Sequence, residues 1–301
     1  MGPHRRRGRA QRVRPPDALG GRQGGRRGHR RPHDQPLNVP EGTRWSIAAG
    51  PVDDPAVVSV EPDLLLPTAS VGKLFLLLEL AARLEAGTLS PDQPVDRRSV
   101  APVADSGLWQ HLMTDVLPLG DVAQLVGSVS DNWASNALLD LVGIEAVQSR
   151  AQSLAPGGST LLDLVRDRRG PEHPPTLSLG CASDWLALMS ALATGDGLGR
   201  ATSLRVLEWL RHGLDLSMVP SGFGLDPLAH ADPDGGLRVF SKTGTSDGVR
   251  ADVGVVMGSH DTWAYAAIAS WDPAEGDRRD EVLATMRELG ELVRREVSSS
   301  G

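Results

Sequence analysis

Only two lysines occur in the chain, and each lies close to hydroxyl side chains. The other 29 basic residues are arginines. A guanidinium keeps its proton in proteins, whereas a lysine that is buried or placed beside another cation can lose its proton and act as a base. Lys73 and Lys242 are therefore candidates for acid–base chemistry rather than ordinary surface charges.

The first lysine follows a serine by three residues, in Ser70-Val71-Gly72-Lys73. Side chains three apart lie on one face of a helix, so the amine is expected beside the Ser70 hydroxyl. The serine falls at the start of a predicted helix, where backbone N–H groups and the helix dipole favour an oxyanion. This arrangement is typical of a serine nucleophile with an amine base.

Two further segments carry groups of the same kind. Ser130-Asp131-Asn132 falls at a break between two predicted helices, where a hydroxyl and an amide can face a cleft. Lys242 lies in Ser241-Lys242-Thr243-Gly244, at the end of a predicted strand. The chain therefore contains three separate segments whose side chains suit acyl transfer.

In this order, the three segments resemble the motifs of the penicillin-recognising serine hydrolases, most closely the class A β-lactamases. The resemblance extends over about residues 43–297. It implies an all-α region that carries the first two motifs, packed against a sheet whose edge carries the third, with the active site in the groove between them. It also implies no cofactor, and a small β-lactam or a peptidoglycan-like substrate.

The resemblance implies a role for each matching residue. Ser70 would be the nucleophile and Lys73 its base, kept partly neutral by burial and by the charge of Lys242. Ser130 would pass a proton to the departing ring nitrogen, and Asn132 would hold the side-chain amide of the substrate. The other implied contacts are an oxyanion hole from the backbone N–H groups of Ser70 and Thr245, and a site for the substrate carboxylate at Lys242, Thr243, Gly244, Thr245 and Arg250.

One part of the class A pattern is missing. Class A enzymes carry Glu-x-x-Leu-Asn after the second motif, and its carboxylate activates the water that releases the acyl group. Residues 160–179 lack this pattern, and Glu172 is the nearest candidate, with Asp167 behind it. We expect β-lactam ring opening of the class A type through an acyl-enzyme on Ser70. The alternatives are a D,D-peptidase, penicillin-binding protein or esterase with slow deacylation, and an inactive member that binds peptidoglycan fragments or a protein partner.

The hydrophobic pattern predicts the elements that must position these groups. Two β-prone runs at 45–49 and 57–60 indicate a hairpin. Residues 70–86 are apolar on nearly every face, as a helix enclosed on all sides requires. Between residues 105 and 212 the pattern predicts four shorter helices, over 121–128, 132–142, 183–194 and 202–212.

Towards the end of the chain the period changes to that of strands. Runs at 237–245, 250–257 and 263–271 are joined by tight-turn signals, and apolar residues at helical spacing follow up to Val297. A Gly-x-Ser-x-Gly match at 244–248 precedes a strand rather than a helix, which argues against a nucleophile elbow. The prediction is an α+β fold with an antiparallel sheet of about five strands and terminal helices. The sheet subdomain takes residues 37–67 and 213–301, and an all-helical subdomain takes 68–212.

Charge divides the chain in two. Residues 1–36 hold eleven arginines and carry a net charge of +9, whereas residues 37–301 carry −16. The first segment has too few apolar side chains to offset its ordering entropy, so we predict a disordered tail. The tail has no aromatic residue for base stacking and precedes an acidic body, so we expect no nucleic-acid partner.

Metal, disulfide and membrane functions have little support. Cys181 is the single cysteine, which excludes an internal disulfide and a cysteine-based metal site, and the eight histidines show no paired ligand spacing. The longest apolar run, residues 74–84, is shorter than the ~20 residues of a membrane span. We expect a soluble monomer. It would be cytoplasmic as the sequence is written, because no export signal is visible, or extracytoplasmic if the start lies elsewhere.

Overall fold

The computed structural model describes residues 37–298, so the predicted tail at residues 1–36 lies outside the described residues. Ten strands and seven α-helices occur in this part of the chain. In chain order they are β1 (Thr43–Pro51), β2 (Val58–Val60), β3 (Leu66–Pro67), α1 (Lys73–Glu85), β4 (Pro94–Asp96), β5 (Val116–Pro118), α2 (Leu119–Val129), α3 (Asn132–Val142), α4 (Ile144–Leu154), β6 (Thr160–Leu161), β7 (Ser178–Gly180), α5 (Ala182–Thr194), α6 (Arg200–Leu210), β8 (Arg238–Ser246), β9 (Val249–Met257), β10 (Thr262–Trp271) and α7 (Arg279–Ser298).

The main sheet has five antiparallel strands in the order β2-β1-β10-β9-β8. The chain passes from β8 to β9 through Asp247 and Gly248, and Gly248 adopts a positive φ of 65° that suits a tight hairpin turn. Strand β8, which carries Lys242, lies at one edge of the sheet. The predicted α+β fold with an antiparallel sheet of about five strands is confirmed.

The two faces of the sheet pack against different helices. Alternate residues of β9 point to opposite faces, so Val253 and Val255 join the core shared with α1 and α5, whereas Val256 joins the core under α7. Helix α7 is amphipathic and buries an apolar stripe that includes Met286 and Val293. The sheet is therefore covered on both sides, and its β8 edge is left to form one wall of a cleft.

The helical region surrounds α1. This helix buries every residue from Lys73 to Ala81, which fits the prediction of an enclosed helix. The turn that carries Ser70 is a 3-10 helix over Ala69–Gly72 rather than the first turn of α1, and α4 is an additional helix that the pattern did not predict. The subdomain boundaries and the monomeric state stay predictions. Across residues 37–298, no helix combines the length and apolarity needed to cross a membrane.

Candidate active site

Ser70 is presented by a strained turn that its neighbours hold in place. Ala69 has a φ of 46°, in the left-handed region that non-glycine residues seldom adopt. The Ser178 hydroxyl from β7 donates to the Ala69 carbonyl at 2.6 Å, and the Thr68 N–H donates to the Ser178 carbonyl at 3.2 Å. Ser70 itself is half-buried and lines a cleft. The turn therefore directs the serine towards the cleft from a fixed backbone.

Gly244 brings strand β8 into contact with this turn. A methyl group at position 244 would collide with the Thr68 carbonyl oxygen and lie 3.0 Å from the Ser70 backbone nitrogen. Glycine is therefore required for the close approach of the two backbones. The same approach brings the next residue of the strand, Thr245, to the cleft that Ser70 lines.

Ser130 is held between α2 and α3 by the buried carboxylate of Asp131. The Ser130 backbone is left-handed, with a φ of 56°. The Asp131 carboxylate accepts the N–H groups of Leu108 and Trp109, both at 2.8 Å, and caps α3 by accepting the Ala134 N–H at 2.9 Å. These three bonds fix the Ser130 loop relative to the segment that crosses it.

The Ser130 hydroxyl lies between the two lysines. Lys242 Nζ donates to Ser130 Oγ at 3.0 Å and to the Thr243 carbonyl at 2.8 Å. Lys73 Nζ donates to the Ser130 carbonyl at 2.7 Å and to Asn132 Oδ1 at 2.8 Å, and lies 3.4 Å from Ser130 Oγ. Lysines 169 residues apart in the sequence thus converge on one hydroxyl.

The protein environment lowers the pKa of both amines. Burial lowers the pKa of Lys73 well below its ordinary value, and the positive charge of Lys242 lowers it further, against the opposing effects of Asp131 and Asp105. Burial lowers the pKa of Lys242 to about 8, opposed by Asp215 and Asp252. Lys73 is therefore the amine that gives up its proton more readily, and Lys242 is the one that keeps its proton to higher pH.

The hydrogen bonds of a neutral Lys73 leave one position open. A neutral amine has two N–H donors and one lone pair, and the Ser130 carbonyl and Asn132 Oδ1 take the two donors. The lone pair remains to accept a proton. Within the described residues, the Ser70 hydroxyl has no hydrogen bond to Lys73, so the expected pairing of these side chains is not formed here. Catalytic hydrogen bonds of free enzymes often tighten only when substrate binds.

The three motifs line a cleft of about 960 Å³, within the range of small-molecule sites. Ser70, Ser130, Asn132, Lys242, Thr243 and Thr245 all contribute to its lining. Ser106 and Asp105 also line it, and the Ser106 hydroxyl donates to the Val129 carbonyl at 2.9 Å. The structure therefore brings together the predicted residues of all three motifs.

Arg250 is directed into the protein rather than into this cleft. The residue is buried, its guanidinium donates to the carbonyls of Ser246 and Val249 at 3.0 and 2.7 Å, and it lies 5.8 Å from the ring of Trp271. It is not among the described residues that line the cleft. Contact of Arg250 with a substrate carboxylate stays a prediction, and it would require the guanidinium to leave these partners.

The loop between β6 and β7 closes the other side of the cleft. The Asn136 side-chain amide, from α3, donates to the Val165 carbonyl of this loop and accepts the Val165 N–H, both at 2.9 Å. Asp167 lines the cleft, whereas Glu172 does not and has a side chain 65% exposed, beside His173. Of these two loop carboxylates, Asp167 is therefore the one at the cleft. The role that we expected for Glu172 has no support from its position.

Sequence reasoning missed two carboxylates near Lys242. Asp252 is fully buried in β9, where it accepts the Val219 N–H at 3.1 Å and the Tyr265 hydroxyl at 3.3 Å. Asp215 is exposed and lines the cleft. An acidic residue inside the apolar strand Val249–Met257 was a signal available in the sequence, whereas nothing local distinguishes Asp215 from other loop aspartates.

The fold and this constellation define the class of protein. A helical region and an antiparallel sheet enclose a serine, a second serine and two buried lysines, which is the arrangement of a β-lactamase-like serine hydrolase. Residues 38–297 match the model of the β-lactamase enzyme family, and the chain belongs to this family.

Individual relatives agree with this assignment. A β-lactamase from Rhodobacter capsulatus is 27% identical over 244 residues, which cover 77% of this chain and 76% of that protein. Among solved structures, the β-lactamase from Sphaerobacter thermophilus has a TM-score of 0.73 and 22% identity, over 85% of this chain and 92% of that one. PBP-A has a TM-score of 0.68 and 18% identity, over 86% and 92% of the two chains. A mutant of PBP-A described as an acyl-enzyme complex with penicillin G has a TM-score of 0.69 and 19% identity, over 85% and 90%. At these identities the structural likenesses show the fold.

Proposed function

We propose that the protein opens β-lactam rings through an acyl-enzyme on Ser70. The observation that carries this proposal is the Ser130 hydroxyl between two buried lysines. Serine attack on an amide needs a base for the serine proton and an acid for the leaving nitrogen. Lys73, whose pKa is lowered by burial and by the charge of Lys242, suits the first role, and Ser130 suits the second.

The proton path of the proposed acylation balances. Ser70 Oγ attacks the carbonyl carbon as its proton passes to the lone pair of Lys73. The ring C–N bond then breaks, and the nitrogen takes the proton of the Ser130 hydroxyl. Lys73 returns its extra proton to Ser130 across the 3.4 Å that separates them, while Lys242 holds the Ser130 oxygen. The backbone N–H groups of Ser70 and Thr245 would stabilise the oxyanion, each donor contributing about 10²-fold or more.

Release of the acyl group needs a base for water. In the loop between β6 and β7, Asp163 pairs with Arg166 and Arg169 at 2.8 and 2.7 Å. Asp167, four residues further along the loop, lines the cleft and accepts the Ala104 N–H at 3.0 Å. We infer that Asp167 performs this step if hydrolysis is efficient. The exposed position of Glu172 favours a second candidate function, a penicillin-binding D,D-peptidase or esterase in which the acyl-enzyme persists.

One experiment distinguishes these functions. The purified protein is mixed with a chromogenic cephalosporin, and product formation and intact mass are followed together. Sustained turnover supports a β-lactamase, and one equivalent of product with a persistent mass increase supports a penicillin-binding protein. Colour or a mass increase that survives in Ser70→Ala would overturn the assignment of the nucleophile.

Two matched variants then test the water base. Asp167→Asn and Glu172→Gln each replace one carboxylate of the same loop by its amide. We expect Asp167→Asn to slow deacylation by about tenfold or more while acylation stays unchanged, and Glu172→Gln to behave as wild type. Equal deacylation rates in all three proteins would remove Asp167 from the mechanism.

A further inference from the structure

Residues 213–215 line the cleft at its leaving-group end. In the proposed reaction Ser130 protonates the leaving atom beside Lys242, so the leaving group must extend past these two residues. The Leu214 N–H donates to the Ser128 carbonyl at 3.0 Å, two residues before Ser130. On the other side, Gly213 packs against the Ser241 carbonyl, next to Lys242. A group leaving past Ser130 therefore meets residues 213–215.

The charges that line this end are mostly negative. Asp215 and Asp247 are both exposed and both line the cleft. Asp215 accepts the N–H and the hydroxyl of Ser217 at 3.1 and 2.6 Å, and both bonds fall on Oδ1, so Oδ2 is available to a ligand. Lys242 is the one cation among the described residues that line this end, and Arg250 lies behind it, bonded to backbone carbonyls but close enough to interact electrostatically with both carboxylates. A positive group on the leaving side would meet two carboxylates there.

A second cavity continues from the cleft at the same place. It has a volume of about 410 Å³ and shares Leu214 and Asp215 with the cleft. Its remaining lining is largely apolar, with Leu216, Leu225 and Pro227 among its residues. A group that extends past Asp215 therefore enters a groove that can bury apolar surface.

We propose that Asp215 determines specificity for the leaving group: it favours acyl donors whose leaving side extends as an apolar group with a positive charge next to the Asp215 carboxylate. The groove lined by Leu216 and Leu225 is the subsite for that group. This inference rests on the proposed function, because it takes the direction of the substrate from the acylation step at Ser70 and Ser130.

Two cephalosporins with identical acyl side chains test the charge. One carries pyridiniummethyl at C3 and the other benzyl, which has almost the same shape and no charge. The measurement is the second-order rate constant for acylation of Ser70, from intact mass. The pyridinium group also withdraws electrons and is expelled after ring opening, so the two compounds differ in intrinsic reactivity, and the test is the change in their rate ratio between proteins. We expect Asp215→Asn to lower the pyridinium-to-benzyl ratio by about fivefold relative to wild type, the size of a partly screened charge pair near a surface.

A remote carboxylate provides the matched control. Asp140 is exposed on α3, and Asp140→Asn changes the net charge by the same amount as Asp215→Asn, so it should keep the wild-type ratio. A pyridinium-to-benzyl ratio that is the same in wild type and in Asp215→Asn would overturn the inference while leaving the acylation mechanism intact. No acylation by either compound would overturn the proposed function, and the inference with it.

A second pair of compounds tests the groove. Cephalosporins with benzyl or methyl at C3 differ only in the apolar group that would reach Leu216. We expect wild type to prefer benzyl by about threefold or more, since burying an aromatic ring is worth more than burying a methyl group. Leu216→Ser should reduce this benzyl-to-methyl ratio relative to wild type. A benzyl preference unchanged in Leu216→Ser would remove the groove from the subsite.

Discussion

Lys242→Arg should abolish the alkaline limb of the acylation rate. Burial lowers the pKa of Lys242 to about 8, so wild type loses the charge that holds Ser130 Oγ as the pH rises past this value. Between pH 7 and pH 9 the charged fraction of such an amine falls about tenfold. An arginine keeps its proton throughout this range. The variant should therefore show a flat profile where wild type falls by about tenfold.

Lys242→Gln should act on the other limb. The charge of Lys242 is the second cause, after burial, of the lowered pKa of Lys73. Removing that charge raises the pKa of Lys73, so this base keeps its proton to higher pH. The acid limb of acylation should move to higher pH in Lys242→Gln and stay in place in Lys242→Arg. Both variants are expected to be slower than wild type at pH 7, so the shapes of the profiles carry the test.

The assay is the second-order rate constant for acylation by one cephalosporin, from pH 5 to pH 10 at constant ionic strength. Circular dichroism at each pH shows whether the fold is retained. If the acylation rate of Lys242→Arg also falls tenfold at alkaline pH, another group causes that fall, and the role given to the charge of Lys242 is refuted. A Lys242→Gln profile with an unmoved acid limb would show that the two amines are not electrostatically coupled.

Three substitutions test the supports of the site. Gly244→Ala places a methyl group against the Thr68 carbonyl, so acylation should fall by about 100-fold or more while the circular dichroism spectrum is retained. Asp131→Asn loses an acceptor for buried N–H groups and should lower the free energy of unfolding in urea by about 2–4 kcal/mol. Burial and the nearby Asp215 raise the pKa of Asp252 well above 3.8 in the folded protein. As the pH rises above 3.8, the unfolded chain therefore loses this proton before the folded protein does, and the free energy of unfolding of wild type decreases. Asp252→Asn removes that loss, so its unfolding free energy relative to wild type should increase from pH 4 to pH 8, and a constant difference would contradict the raised pKa.

Elements with strong local signals could be predicted from the sequence. Helix α3 spans Asn132–Val142 as predicted, because Asp131 caps its first turn and Gly143 follows its last residue. The hairpin of β8 and β9 was predictable for a similar reason, since Asp247 and Gly248 favour a tight turn between two β-prone runs. In both cases the information lies within a few residues of the boundary.

Elements that depend on distant partners could not be predicted. Strand β3 has two residues and pairs with β7, more than 100 positions away. Helix α4 was missed because only Val147 and Ala151 are buried in it, which is too little to produce a clear apolar stripe. The contact of β7 with the serine turn, through Ser178, is likewise visible only in three dimensions.

The same distinction between local signals and distant partners applies to the candidate site. The spacing of Ser70 and Lys73 predicts that their side chains pair, but the hydrogen-bond partners of Lys73 are on Ser130 and Asn132, which belong to another segment. The orientation of Arg250 depends on backbone carbonyls and on Trp271 from the neighbouring strand. Residue types indicate the chemistry that we propose, whereas the direction of each side chain depends on packing between segments.

The lowered pKa of Lys73 and the position of Lys242 beside Ser130 require both regions of the fold. Lys73 and Ser130 belong to the helical region and Lys242 to the edge strand of the sheet, so neither region alone contains the proton path. The burial that lowers the pKa of Lys73 depends on α1 being enclosed, while the charge of Lys242 reaches Lys73 only when β8 packs against the turn that carries Ser70. The contact that permits this packing is Gly244 against Thr68 and Ser70. Any change that separates the strand from the turn should therefore raise the pKa of Lys73 and remove the donor to Ser130 together, so acylation should fail before the protein unfolds.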